Sequence, residues 1–107
     1  MPIDIILADD HKVVRDGLEA LLESETDLTV VAAVGDGRSA MQKVDELQPD
    51  VAVMDISMPD LNGVDATRHI ADRAPQTKVL CLSIHSSNQF VTAMFEAGAQ
   101  GYLHKRC

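Results

Sequence analysis

Apolar and polar positions repeat with two different periods along this chain. Ile3 to Ala8 is a short apolar, β-branched run, as expected of a strand covered on both faces. From Lys12 to Ser24 the spacing turns helical, with Val14, Leu18, Leu21 and Leu22 on one predicted face. Leu28 to Val34 is a second strand-like run, closed by Gly35-Asp36-Gly37. Ala40, Met41, Val44 and Leu47 mark a second helix, which Pro49 stops. Val51 to Met54 predicts a third strand and Ser57 to Gly63 a turn-rich loop. Thr67, Ile70, Ala71 and Ala74 predict a third helix ended by Pro75, and Lys78 to Ser83 a fourth strand. Ser86 and Ser87 suit the N-cap of a fourth helix carrying Phe90, Val91, Met94 and Phe95, with Gly98 just past its end. Gly101 to His104 reads as a short fifth strand.

The order is β-α-β-α-β-α-β-α-β, which implies right-handed crossovers and an α/β fold, a doubly wound five-stranded parallel sheet. Near-continuous apolar strands agree with a sheet covered on both sides. The 107 residues fit one domain, with no linker or repeat. The alternation calls for a fifth helix after Lys105, yet only Arg106 and Cys107 follow. A sheet face partly bare of helix is therefore expected, with residues 1–107 a domain cut before its last helix, or a surface covered by another chain. Such a chain is expected to be less stable, or more self-associating, than a longer version.

Composition narrows the function. Apolar residues make up 46% and charged residues 24%, as in ordinary soluble globular proteins. No apolar run nears the roughly 18 residues of a membrane helix, and no basic stretch precedes Ile3 to suggest a secretory signal. The net charge of −8 argues against nucleic acid or anionic membranes as direct partners. Phe90, Phe95 and Tyr102 are the only aromatics, too few to stack bases. Cys81, within an apolar run, reads as a buried small hydrophobe, and Cys107 as an exposed terminal thiol. Two such cysteines fit a reducing cytoplasm.

Ligands of open parallel sheets bind beyond the carboxyl ends of the strands. Asp9, Asp10 and His11 follow the first strand, Asp55 ends the third, Ser83 the fourth and Lys105 the fifth. Two carboxylates about 4 Å apart repel by roughly 4 kcal/mol at an effective dielectric near 20. Three gathered together require a shifted pKa or a cation. Lys105 offsets one charge, and a divalent ion the other two. Hard oxygen donors favour Mg²⁺, with Mn²⁺ as substitute. Asp55 can then act as a nucleophile toward phosphorus, with Ser83 and Lys105 meeting the added charge.

At this point the sequence resembles the receiver domain of bacterial two-component response regulators. The matching residues are Asp9-Asp10, Asp55 within Val53-Met54-Asp55-Ile56-Ser57-Met58-Pro59, Asn62-Gly63, Ser83 and Tyr102-Leu103-His104-Lys105. Ser83-Ile84-His85 and Ala97-Gly98-Ala99-Gln100-Gly101-Tyr102-Leu103 look most like the NarL/FixJ subfamily, whose members usually carry a C-terminal helix-turn-helix output domain. The resemblance implies a flavodoxin-like sheet of strand order 2-1-3-4-5, with Asp55 as phosphoacceptor. It implies Mg²⁺ on Asp9, Asp10, Asp55 and the Ser57 backbone carbonyl, phosphoryl contacts from Ser83 and Lys105, and Tyr102 as switch aromatic. A sensor histidine kinase would be the donor, phosphorylation would favour a homodimer, and DNA would be bound only through the output domain. Ile84 is bulkier than the residue usual after the serine, and Arg106 stands where many relatives have proline.

Other readings weigh against this one. An Asp-nucleophile, Mg²⁺-dependent phosphatase needs a second aspartate two residues after the first, where this chain has Ser57. A flavin carrier needs a phosphate-cradling loop where Asp9-Asp10 would repel phosphate. A phosphorylation-independent binding module keeps the fold alone. Asp10 and Ser83 could serve as helix caps, and Lys105 as a solvated charge. Arg15, Arg68 and Arg73 read as solvated helix positions, with Arg15 also a candidate for kinase docking. His11 and His85 read as exposed loop residues without ligand spacing.

Overall fold

The computed structural model describes residues 3–55, 63–83 and 88–104, and within these not the side chains of residues 83, 88–91 and 102–104. Its elements are β1 (Ile3–Ala8), α1 (Lys12–Glu23), β2 (Leu28–Val34), α2 (Gly37–Leu47), β3 (Val51–Asp55), α3 (Gly63–Arg73), β4 (Lys78–Ser83), α4 (Asn88–Ala97) and β5 (Gly101–His104). The strands form one parallel sheet in the order β2-β1-β3-β4-β5, as expected. Among the described residues no helix is long and apolar enough to cross a membrane.

Period-two alternation sends neighbouring strand residues to opposite faces. Ile6, Ala8, Ala52, Met54, Val79 and Cys81 pack with Ala40 and Val44 of α2, Ala66 and Ile70 of α3, and Met94 of α4. Ile5, Leu7, Val53 and Leu82 face the other way, with Leu18 and Leu22 of α1 packed against them. On this second face those four strand residues are buried and Val51 and Leu80 half-buried.

Three positions assigned to core faces from spacing are exposed instead: Leu21 (66%), Leu47 (41%) and Phe95 (45%). Each sits about one helical step, or the end of the helix, away from a residue that packs inward: Leu22, Val44 and Met94 respectively. A helix lying on a sheet buries only a narrow stripe, and these side chains fall beyond its edge.

Helix ends follow local chemistry. Asp36 caps α2 by accepting from the Ser39 N–H at 2.7 Å. Gln48 closes α2 in the left-handed region (φ 48°), ahead of Pro49. Gly98, with φ 121°, ends α4, and its N–H donates to the Phe95 carbonyl. Ser86 and Ser87, the expected caps of α4, lie outside the described residues.

Candidate functional site

β1 and β3 are neighbours in register, Ala8 opposite Met54, so the residues that follow emerge together at the carboxyl edge of the sheet. Asp9 is fully buried and Asp55 nearly so, whereas Asp10 and His11 are exposed. One ligand atom from each of Asp9, Asp10, His11 and Asp55 lies within 4.8 Å of all the others.

The β1–α1 connection is held in place by its backbone. The Asp9 N–H donates to the Val34 carbonyl at 3.0 Å, extending the β1–β2 ladder by one rung. The His11 N–H donates to Asp9 Oδ1 at 2.8 Å, a turn that fixes the carboxylate. Arg15 Nη1 donates to the Asp9 carbonyl at 2.9 Å. Gly35 makes room for that guanidinium: a Cβ there would stand 2.9 Å from Arg15 Nη1. Arg15 is thus a half-buried tie between α1 and the acidic loop, not the solvated position its helical spacing suggests. The only sequence signal for it was a cation one turn into the helix that follows two aspartates.

The N-cap of α1 is His11, not Asp10, and its side chain makes no capping hydrogen bond. Instead its Nδ1 lies 3.3 Å from Asp9 Oδ1 and 3.2 Å from Asp10 Oδ1. Sequence reading missed this, because adjacency alone does not say which way the ring turns.

Beneath the cluster, Cys81 is buried. Its thiol is pushed up to about 12, by burial first and by the negative charge of Asp55 second. The donor set is three carboxylates and one imidazole, gathered where mutual repulsion calls for a cation. Hard oxygens in that number suit Mg²⁺.

Ser83 ends β4 one residue beyond Leu82, the partner of Asp55, and so reaches the same edge; its side chain is outside the described set. Tyr102 pairs with Cys81 in β5, and its side chain is likewise outside that set. Ser57, Asn62, Ile84, His85, Lys105 and Arg106 lie outside the described residues.

Comparison with known proteins shows the family. The family model of the response regulator receiver domain matches residues 5–107. The chain is 46% identical over 103 residues to the transcriptional regulatory protein DegU of Brevibacillus brevis, covering 96% of this chain and 44% of that protein. It is 44% identical over 102 residues to the oxygen regulatory protein NreC of Staphylococcus aureus, covering 94% and 47%. The chain therefore spans less than half the length of these relatives. Among solved structures, a two-component response regulator of the LuxR family from Aurantimonas superposes with a TM-score of 0.89 at 37% identity, covering 95% of this chain and 73% of that one. The receiver domain of NarL from Mycobacterium tuberculosis gives 0.92 at 28% identity, covering 96% and 83%. On a family match that takes in all five strands, and relatives of this kind, the chain belongs to the response regulator receiver domain family, in its NarL/FixJ subfamily.

Proposed function

We propose that this receiver domain is a phosphoacceptor switch, with Asp55 as the residue that takes the phosphoryl group. The observation that carries the reading is the gathering of Asp9, Asp10 and Asp55, two of them buried, at the carboxyl edge of the sheet. Asp9, Asp10, Asp55 and the Ser57 carbonyl would hold Mg²⁺, which when bound neutralises carboxylate and phosphoryl charge. A carboxylate oxygen of Asp55 attacks phosphorus while the P–N bond of a phosphohistidine donor breaks, the electron pair leaving with the donor imidazole. Lys105 and Ser83 would take up the new phosphoryl oxygens, and the Tyr102 ring would follow Ser83. Arg15 holds the loop bearing Asp9 so that the carboxylate stays in place.

A sensor histidine kinase is the donor in this reading, and the setting is cytoplasmic. Residues 1–107 are the receiver part of a longer transcription regulator, with phosphorylation favouring a homodimer and a C-terminal helix-turn-helix domain binding DNA. The identity to a transcriptional regulatory protein, of which this chain spans 44%, supports that extension. The domain turns over its own phosphoryl group and no other substrate, so it is a switch and not an enzyme. The population of an active form shifts on phosphorylation.

Intact mass after incubation with acetyl phosphate tests the proposal. One phosphoryl adduct that requires Mg²⁺ and is lost in Asp55→Asn is expected. A folded protein that gains none, or an Asp55→Asn protein that still gains one, overturns it.

A further inference from the structure

We propose that His11 is a ligand of the acidic site, adding a nitrogen donor that strengthens binding of a borderline transition ion such as Ni²⁺ and leaves Mg²⁺ binding unchanged. The inference rests on reading the cluster as a cation site and adds one residue to it. His11 Nδ1 lies 3.3 Å from Asp9 Oδ1 and 3.2 Å from Asp10 Oδ1. Ligand atoms that share one ion at about 2.1 Å stand roughly 3.0–3.4 Å apart, from octahedral to tetrahedral angles. Nδ1 therefore already has the spacing of a third ligand beside two carboxylate oxygens. Both carboxylates and the ring join Asp55 within 4.8 Å.

The ring's polar contacts at the helix start are with the two carboxylates themselves, contacts that a shared cation would replace. His11 occupies the N-cap of α1 without making a capping bond, and its side chain is 56% exposed, so solvent ions reach it. Coordination through Nδ1 leaves the ring proton on Nε2, which the neutral imidazole supplies without loss of charge balance. Imidazole raises affinity for nickel, copper and zinc far more than for magnesium, which prefers oxygen. Three carboxylates alone discriminate little between the two ions; the added nitrogen supplies the difference.

Calorimetric titration of Ni²⁺ and of Mg²⁺ into wild type, His11→Ala, His11→Ser and Asp10→Asn tests this. His11→Ser offers α1 a capping hydroxyl and guards against a folding defect. Both His11 variants are expected to bind Ni²⁺ at least tenfold more weakly and Mg²⁺ within twofold of wild type. Asp10→Asn should weaken both ions, and excess Mg²⁺ should compete with Ni²⁺ in wild type. Ni²⁺ binding unchanged in the His11 variants overturns the proposal and leaves the phosphoacceptor reading intact. Failure of wild type to bind Mg²⁺ overturns that reading instead, and a loss of Ni²⁺ binding in the His11 variants would still support this one.

Discussion

Gly98 is the position where one methyl group should do the most damage. Its φ of 121° lies in the half of backbone space that residues with a Cβ rarely adopt. A Cβ built there would also stand 2.6 Å from the Ala71 Cβ, an overlap between α3 and the end of α4. Backbone strain of this kind costs about 1–3 kcal/mol, and forcing a methyl into a packed contact costs about 1–3 kcal/mol more. Gly98→Ala should thus lose about 2–6 kcal/mol, a large share of the roughly 5–15 kcal/mol of a small domain. At about 4–8 °C per kcal/mol, the melting midpoint falls by at least ~8 °C. Gly17, in the middle of α1, is the control: a Cβ there meets nothing within 4 Å, and Gly17→Ala should stabilise by about 0.5–1 kcal/mol through helix propensity. Adding Ala71→Gly to Gly98→Ala should recover the contact cost, less about 0.5–1 kcal/mol of helix propensity lost in α3, and leave the backbone cost. Urea and thermal unfolding followed by circular dichroism read all four proteins. A Gly98→Ala protein within ~0.5 kcal/mol of wild type, the range of an ordinary surface change, would refute the reasoning.

Two further outcomes follow from the site's surroundings. Arg15→Met keeps the aliphatic stem but removes the donor to the Asp9 carbonyl, so Mg²⁺ affinity should drop severalfold by calorimetry, with about 1–3 kcal/mol of stability lost; unchanged Mg²⁺ affinity would remove Arg15 from the site. The Cys81 thiol, pushed from its ordinary 9.0 up to about 12, should resist alkylation in the folded protein at pH 8. Because folding favours its neutral form, the stability this contributes is whole below pH 9 and is lost as pH rises toward 12. Cys81→Ala should flatten that alkaline decline in denaturant titrations, and an unaltered pH profile would contradict the assignment.

The sheet was legible because parallel strands covered on both faces read as near-continuous apolar runs, as β1 to β4 do apart from a few polar residues mostly near their ends. The carboxylates were legible because strand ends in such a sheet converge, which brought Asp9, Asp10 and Asp55 together on sequence grounds alone. Rotation about single side chains was not. Leu21, Leu47 and Phe95 have the right character for a core, but helix–sheet contact is narrower than an apolar stripe. Arg15 looked solvated, and the exposed His11 looked partnerless, because their partners, a backbone carbonyl and two carboxylate oxygens, are set by how the β1–α1 turn folds. No spacing rule reports such a turn.

The most direct test of the central claim is to locate the phosphoryl group. Protein treated with acetyl phosphate and Mg²⁺ is reduced with borohydride, which converts an acyl phosphate on aspartate to homoserine, and digested for tandem mass spectrometry. The account predicts homoserine at position 55 and at no other aspartate. Homoserine at Asp9 or Asp10, or a stable adduct on His11 with residue 55 unchanged, would contradict it.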